Sequence, residues 1–409
     1  MPPLSQRGQT AYASPIRKLE DAAQAAAEAG KRIYHLNIGQ PDIPTPPEAV
    51  RALRTTELDV LAYGPARGLL SYRWRLVDYY GRYNIALDYQ DLIVTTGASE
   101  AIYLTLLAIC DPGDELIIPE PFYALYNGFA QVTGAVIVPI PCQLETGFAL
   151  PDAAAFAAAI SPRTRAILLC NPNNPTGCLY PEGQLRELGE LVRRHDLYLV
   201  CDEVYREFVY GDTPFFSVLQ LPRVAEHVVV VDSISKRYSS CGARVGAVVS
   251  RNRALLDNLT KFARFRLCPP GLGQILAEAT LEVGPAYLET AVAEYRHRRD
   301  TLYRRLAAMP GVRCYRPGGA FYAFVALPVA DSEHFCAWLL TDFAHEGETV
   351  MLAPGSGFYA TPGRGTDEVR IAYVLHEEAL HRAMTILDIA LHRYRELFPA
   401  AALQATKLS

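Results

Sequence analysis

The chain has 409 residues, 50% of them hydrophobic and 20% charged, with a formal net charge of −5. That length predicts two or three domains, or a large domain with a smaller partner, and that composition excludes a disordered chain. The nearly balanced charge gives no electrostatic reason to expect nucleic acid as a partner.

The N-terminus reads Met1-Pro-Pro-Leu-Ser-Gln-Arg7, without a basic region leading into a long apolar stretch, so no signal peptide is expected. No window approaches about 18 consecutive apolar residues, so no membrane span is expected either. Residues 1–15 are polar and expected to be loose, and the alanine-rich stretch 16–29 is predicted to be helical. Residues 36–47 carry four prolines, which exclude a helix there.

From about residue 90 short β-branched runs alternate with longer stretches of helical period. The predicted strands are 92–95, 115–118, 136–139, 166–170, 198–201, 228–231 and 244–249. Several lack polar alternation, as strands buried on both faces do. Strand–helix alternation predicts an α/β fold with a doubly wound, mainly parallel seven-stranded sheet. After about residue 290 the pattern becomes mixed, and a second, smaller α+β domain is predicted. It opens with the charged amphipathic helix that begins at Glu294. The basic run 296–305 is flanked by acids and is read as a solvated helix face. The division expected is an N-terminal arm with part of the small domain (1–47), a large domain (48–293) and a small C-terminal domain (294–409).

Nine cysteines, Cys110, Cys142, Cys170, Cys178, Cys201, Cys241, Cys268, Cys314 and Cys336, include no Cys-x-x-Cys pair. Several lie in apolar runs, where a thiol acts as a small hydrophobe. A reduced, cytoplasmic setting with neither disulfides nor zinc is expected.

Ligands of open α/β sheets sit beyond the carboxyl ends of the strands, so the residues following each strand matter most. After 92–95 comes Thr96-Gly97-Ala98-Ser99-Glu100, a tight turn into a helix whose free amides can hold an anion or be capped in the ordinary way. After 166–170 comes Asn171-Pro-Asn-Asn-Pro-Thr-Gly177, where two Asn-Pro steps keep the chain out of the helical region and can aim an asparagine amide at a ligand. After 198–201 comes Asp202-Glu-Val-Tyr205, a carboxylate at a buried strand end that needs a partner. After 228–231 comes Asp232-Ser-Ile-Ser-Lys236, with Arg244 eight residues on. Lysine forms Schiff bases once its charge is suppressed, and serines with arginine are good phosphate ligands.

In this order, Asn-Pro-x-Asn-Pro-Thr-Gly, Asp-x-x-Tyr and Ser-x-Ser-Lys-x-x-x-x-x-Gly-x-Arg-x-Gly resemble the class I/II aminotransferases of pyridoxal-phosphate fold type I. The resemblance runs from Gly39 to Arg370. It implies pyridoxal 5'-phosphate as cofactor, held covalently by Lys236, which then carries the proton at the substrate α-carbon. It implies that Asp202 pairs with the ring nitrogen and that Tyr205 and Asn174 bond the ring oxygen. Tyr123, with Phe122 beside it, matches the stacking aromatic, which is commonly tryptophan or phenylalanine. Ser233, Ser235, Arg244, Ser99 and the Ala98 amide would form the phosphate cup. Arg370, in Glu368-Val-Arg370-Ile, would take the substrate α-carboxylate, and Gly39 would close over it. Gln40 stands where the family often has glutamate. Tyr63 matches the tyrosine that reaches the phosphate of a partner subunit, which implies a homodimer with active sites at the interface.

The activity so implied is ping-pong transfer of an amino group between an L-amino acid and a 2-oxo acid. In dicarboxylate-specific relatives a partner arginine lies shortly before a Pro-Pro loop. Alignment on Pro269-Pro270 puts Ala263 at that position, with Arg264 and Arg266 close by. Arg266 is therefore the expected reader of a side-chain carboxylate, Arg264 its substitute, and aspartate with 2-oxoglutarate the expected pair. The alternatives are a pyridoxal-phosphate lyase or cyclase on the same fold, which needs no acceptor acid, and a non-catalytic version fused to a DNA-binding domain.

Overall fold

A computed structural model describes residues 2–211 and 213–399; the last ten positions of the expected small domain lie outside it. The strands in chain order are β1 (Arg32–His35), β2 (Leu92–Thr95), β3 (Glu115–Glu120), β4 (Val136–Pro141), β5 (Thr164–Cys170), β6 (Tyr198–Asp202), β7 (Val228–Ser233), β8 (Gly246–Val249), β9 (Arg313–Cys314), β10 (Tyr322–Ala326), β11 (Glu348–Met351), β12 (Ala353–Pro354) and β13 (Glu368–Ala372). Seven of them form one sheet in the order β2-β8-β7-β6-β5-β3-β4. All neighbours are parallel except at β8, which runs antiparallel to both β7 and β2. The α/β fold and the seven-stranded sheet are as the sequence predicts. The expected strand at 244–249 begins two residues later, because Arg244 adopts a left-handed φ of 53°.

The missing polar alternation has a simple cause. Along each central strand the side chains alternate between two apolar cores, one on each face of the sheet. Val229 and Val231 enter one core while Val228 and Val230 enter the other; Leu168 and Cys170 are separated from Ile167 and Leu169 in the same way. Period two is present, but both phases are hydrophobic. Prolines 139 and 141 fall in β4, an edge strand, where a missing N–H is tolerated.

A smaller antiparallel sheet, β12-β13-β10-β9, and the parallel pair β1-β11 make up the rest. The core that receives Val229 and Val231 continues into this part through Leu302, Phe335 and Leu387. One helix, Pro285–Ala307, runs unbroken through residues 293 and 294. The helix predicted over 16–29 is shorter, spanning Glu20–Glu28 after a turn that starts at Pro15, and the stretch expected to be loose holds a short helix, Gln6–Gln9. The basic run 296–305 is not wholly a solvated face. Arg298 and Arg299 are buried; Arg298 pairs with Asp42 and with Glu294, both at 2.7 Å, and Arg299 donates to the Pro317 carbonyl at 3.1 Å. Among the described residues no helix is long and apolar enough to cross a membrane. All nine cysteines are free thiols.

Candidate active site

Sheet register brings the chemistry together. Cys170 lies beside Asp202, and Asp202 beside Val231, so the loops leaving β5, β6 and β7 emerge side by side. Because β8 is antiparallel, its first residue, Gly246, pairs with Ser233 on one side and Thr95 on the other. Three strand ends therefore meet at one point, with a cavity of about 320 Å³ beyond them.

One end of the cavity is a cradle of backbone and arginine. A side chain at Gly97 would overlap the Arg244 guanidinium, and one at Gly246 would strike the Gly97 backbone and the Ala98 nitrogen. Gly97 also has φ +72°, a conformation glycine adopts freely. The helix Gly97–Ile109 starts here, its first N–H groups unpaired within the helix. Ala98, Ser99, Ser233, Ser235 and Arg244 all line the space. Ser233 also serves the backbone. Its hydroxyl donates to the Val245 carbonyl at 2.8 Å and accepts from the Ser235 N–H, so it holds the turn. The Ser235 hydroxyl lies 2.8 Å from that of Ser233 and, with the Ser233 proton on Val245, donates to it, which leaves Arg244 and the backbone N–H groups as the donors best placed for an anion.

Lys236 follows directly. Its neighbour Arg237 turns inward and is buried against Asp232 at 2.5 Å and over the Tyr79 ring at 4.2 Å. That anchor leaves Lys236 facing the cavity, where its Nζ donates to the Gly39 carbonyl at 2.8 Å. Asp202 lies deeper, 4% exposed. Its hydrogen bonds come from neutral donors, the Val204 N–H and the Tyr126 hydroxyl, each at 3.2 Å. Burial pushes its carboxyl up to about 6, against those two hydrogen bonds, which pull the other way. A buried carboxylate in this state calls for a cation.

The asparagines of the doubled Asn-Pro loop divide their work. Asn171 Oδ1 accepts from the Tyr180 N–H and Asn173 Oδ1 from the Thr176 N–H and hydroxyl, so both hold the loop. Asn174 faces the cavity, where its Oδ1 accepts from Arg370 Nη1 at 3.0 Å. Both Asn-Pro bonds are cis. Arg370 Nη2 donates to the Asn37 carbonyl, and the buried Nε has no hydrogen-bond partner among the described residues. The guanidinium carbon lies 4.5 Å from the Tyr322 ring centroid and 5.1 Å from that of Phe358. Burial pulls its pKa down, against the neighbouring tyrosines.

The family model for aminotransferase class I and II matches residues 31–387. The chain belongs to the class I and II aminotransferases. Among similar proteins, a putative aminotransferase YugH from Bacillus subtilis is 33% identical over 95% of this chain and 98% of its own. An aspartate aminotransferase from Pyrococcus horikoshii is 30% identical over 92% and 94%, and the arginine–pyruvate transaminase AruH of Pseudomonas aeruginosa 34% over 88% and 90%. The solved structure of Thermus thermophilus aspartate aminotransferase with maleate superposes with a TM-score of 0.86 at 29% identity, covering 95% of this chain and all of that one.

In this aminotransferase the cavity gathers Gly39, Ala98, Ser99, Tyr123, Asn174, Asp202, Tyr205, Ser233, Ser235, Lys236, Arg244 and Arg370. Phe122 is in the core, stacked on Tyr126, so Tyr123 alone of the pair faces the cavity. Two expected residues lie elsewhere in the subunit. Tyr63 is 80% exposed. Arg266 pairs with Glu100 at 2.8 Å and donates to the carbonyls of Val94 at 2.7 Å and Ala66 at 3.2 Å, which ties it into its own fold. Arg264 is exposed, and Ala263 is fully buried.

Sequence reasoning missed Tyr126, Tyr322, Cys241 and Arg17. Tyr126 stands three residues beyond Tyr123, its N–H donating to the Tyr123 carbonyl at 2.9 Å, so the turn-like spacing of the two tyrosines was the available signal. Arg17 lines the cavity from the N-terminal turn, paired with Glu20 at 2.9 Å.

Proposed function

We propose that this aminotransferase holds pyridoxal 5'-phosphate at Lys236 and exchanges amino groups by a ping-pong cycle, with aspartate and 2-oxoglutarate as its pair. The observation that carries the proposal is one cavity with three matched ends: an anion cradle at Gly97, Gly246 and Arg244, a buried carboxylate hydrogen-bonded by neutral donors, and a buried arginine whose Nε has no hydrogen-bond partner among the described residues. These fit the phosphate, the protonated ring nitrogen and the substrate carboxylate respectively. Bound there, the cofactor supplies an electron sink for the charge left when the substrate α-carbon loses its proton.

The chain's own residues do the rest. Asp202 would give the ring nitrogen a buried counter-charge and so favour its protonated form. Tyr205 and Asn174 would donate to the ring oxygen, and Tyr123 would pack against the ring. Arg370 fixes the α-carboxylate, which orients the α-hydrogen toward Lys236. Lys236 Nζ, released from the Gly39 carbonyl, takes that proton and returns it on the other side of the exchange. Gly39 cannot carry a side chain, because a Cβ there would overlap the Tyr322 hydroxyl. Of the four cations that line the cavity, Lys236, Arg244 and Arg370 have these tasks, and Arg17 remains for a side-chain carboxylate.

A homodimer completes the reading. Leu58, Val60, Leu61, Tyr63, Phe265, Leu267 and Leu272 are exposed, and a side chain at Gly271 would touch Leu61, so the two segments adjoin. A contiguous apolar face of this kind marks an interface. An N-terminal arm, a large domain and a small C-terminal domain go with it, the expected 293/294 boundary falling inside the helix Pro285–Ala307 that joins the last two; the cytoplasm is the compartment proposed, in keeping with a sequence that has no Cys-x-x-Cys pair.

The visible spectrum of the purified protein tests the function. Bleaching of a yellow species by aspartate, and its return with 2-oxoglutarate, is expected. Ammonia or a cyclic product formed without an acceptor acid would replace the transaminase with the lyase or cyclase.

A further inference from the structure

Tyr322 is a residue with no assigned role in the middle of the site. It lies in β10 opposite Ala372 of β13, two residues before Phe324, which faces Arg370 across the ladder. Its side chain is 2% exposed, yet it lines the cavity. Its hydroxyl lies 2.8 Å from the Tyr205 hydroxyl, and its ring caps the Arg370 guanidinium at 4.5 Å. The two tyrosine rings meet edge to face, with centroids 5.5 Å apart.

A phenol has one proton to donate. In a hydroxyl pair, one tyrosine donates to the other, and the acceptor keeps its own proton for a third group. If Tyr205 donated to Tyr322, it would have nothing left for a ring oxygen in the cavity. We propose that Tyr322 is a positioning residue: it donates to Tyr205, which fixes the Tyr205 proton in the direction of the cofactor oxygen and strengthens Tyr205 as a donor. Hydrogen bonds in a chain polarise one another in this sense. The inference rests on the reading that Tyr205 bonds the cofactor.

The readout is the pH at which the visible absorption of the Lys236-bound cofactor changes, because a donor to the ring oxygen stabilises the deprotonated form of that linkage. Holoenzymes of wild type, Tyr322→Phe, Tyr205→Phe and the double variant are titrated. Phenylalanine keeps the ring over Arg370, and thermal melting checks that the fold is kept. Tyr322→Phe is expected to raise the midpoint by less than Tyr205→Phe does, and to leave it unchanged in the Tyr205→Phe background. No shift in the wild-type background, or the same shift in both backgrounds, would overturn the relay, because a tyrosine acting only by packing does not need Tyr205's proton. If Tyr205→Phe itself moved nothing, the reading of Tyr205 would fail, and the relay with it. That result is distinct from a Tyr205 effect that Tyr322 does not share.

Discussion

Arg370 Nη1 donates to Asn174 Oδ1 at 3.0 Å across 196 residues of sequence. The bond joins β13 to the loop after β5, so the group expected to take substrate and one expected to bond the cofactor are held in one unit. Asn37 extends the link. Its carbonyl accepts from Arg370, and its Nδ2 donates to the Ile16 carbonyl at 2.9 Å. The N-terminal turn that carries Arg17 is thereby tied to Arg370.

Arg370→Lys is expected to lower kcat/KM for every amino acid substrate alike. Lysine presents a point charge where the guanidinium presents a planar fork, and it cannot reach Asn174, Asn37 and a carboxylate together. A charged hydrogen bond is worth about 1.5–3 kcal/mol, so a loss of roughly ten- to a hundredfold should appear in steady-state kinetics. The cofactor spectrum should stay as in wild type. A loss confined to dicarboxylates would assign Arg370 to the side chain instead.

Lys236→Ala is expected to abolish covalent capture of the cofactor and to lower kcat by at least ~10²–10⁴, the range of a lost general base. Borohydride reduction followed by mass spectrometry gives the clean test: the reduced adduct should sit on Lys236 in wild type and be absent in the variant. An adduct on another lysine would move the site.

Asp202 makes the cofactor-free protein sensitive to pH in an unusual sense. Its folded carboxyl holds a proton up to about 6, above the ordinary 3.8. The folded state thus binds more protons than the unfolded one between these values, and stability falls as pH rises through that window, then stays low above it. The difference is on the order of 3 kcal/mol, at 1.36 kcal/mol for each pH unit. Cofactor-free Asp202→Asn should therefore melt above cofactor-free wild type at pH 7–8, the gap closing toward pH 4. With cofactor bound the order should reverse, because the carboxylate then has its cation. A gap that did not change with pH would show that burial is not what raises this carboxyl.

Much of this was legible in the sequence because strand ends are local. Gly97, Asn174, Asp202, Lys236 and Arg244 each follow a run of β-branched or aliphatic residues, and a parallel sheet collects such ends on one side. What escaped was long-range or directional. A wholly apolar strand reads the same in either direction, so the antiparallel run of β8, which sets Gly246 between Ser233 and Thr95, left no mark. Tyr322 meets Tyr205 across 117 residues, and Arg298 meets Asp42 across 256. In the first case nothing local marks a phenol as part of a site. In the second, a charge looks solvated until its distant partner is known.

Subunit association has its own test. Phe265 is 82% exposed beside Leu267, a costly arrangement for a side chain that water would otherwise surround. Phe265→Glu places a charge in that face and, if the proposed homodimer shares its sites across it, should shift the protein from dimer to monomer in sedimentation velocity with loss of activity. A dimer that survived this change with full activity would put the interface elsewhere.

Arg17 and Arg266 make opposite predictions for side-chain selectivity. Arg17 lines the cavity, and its bond to Glu20 is an exposed pair that a substrate carboxylate can displace. Arg17→Gln should therefore lower kcat/KM for aspartate by about tenfold or more relative to alanine, the scale of one charged hydrogen bond. Glu20→Gln, which removes the competing carboxylate, should lower KM for aspartate. Arg266→Ala breaks a partly buried pair with Glu100 and two backbone contacts, so it should lower the melting temperature and leave the aspartate-to-alanine ratio unchanged. If instead Arg266→Ala changed the ratio and Arg17→Gln did not, the side-chain carboxylate would be read by Arg266 across the subunit interface, and Arg17 would belong to the N-terminal turn alone.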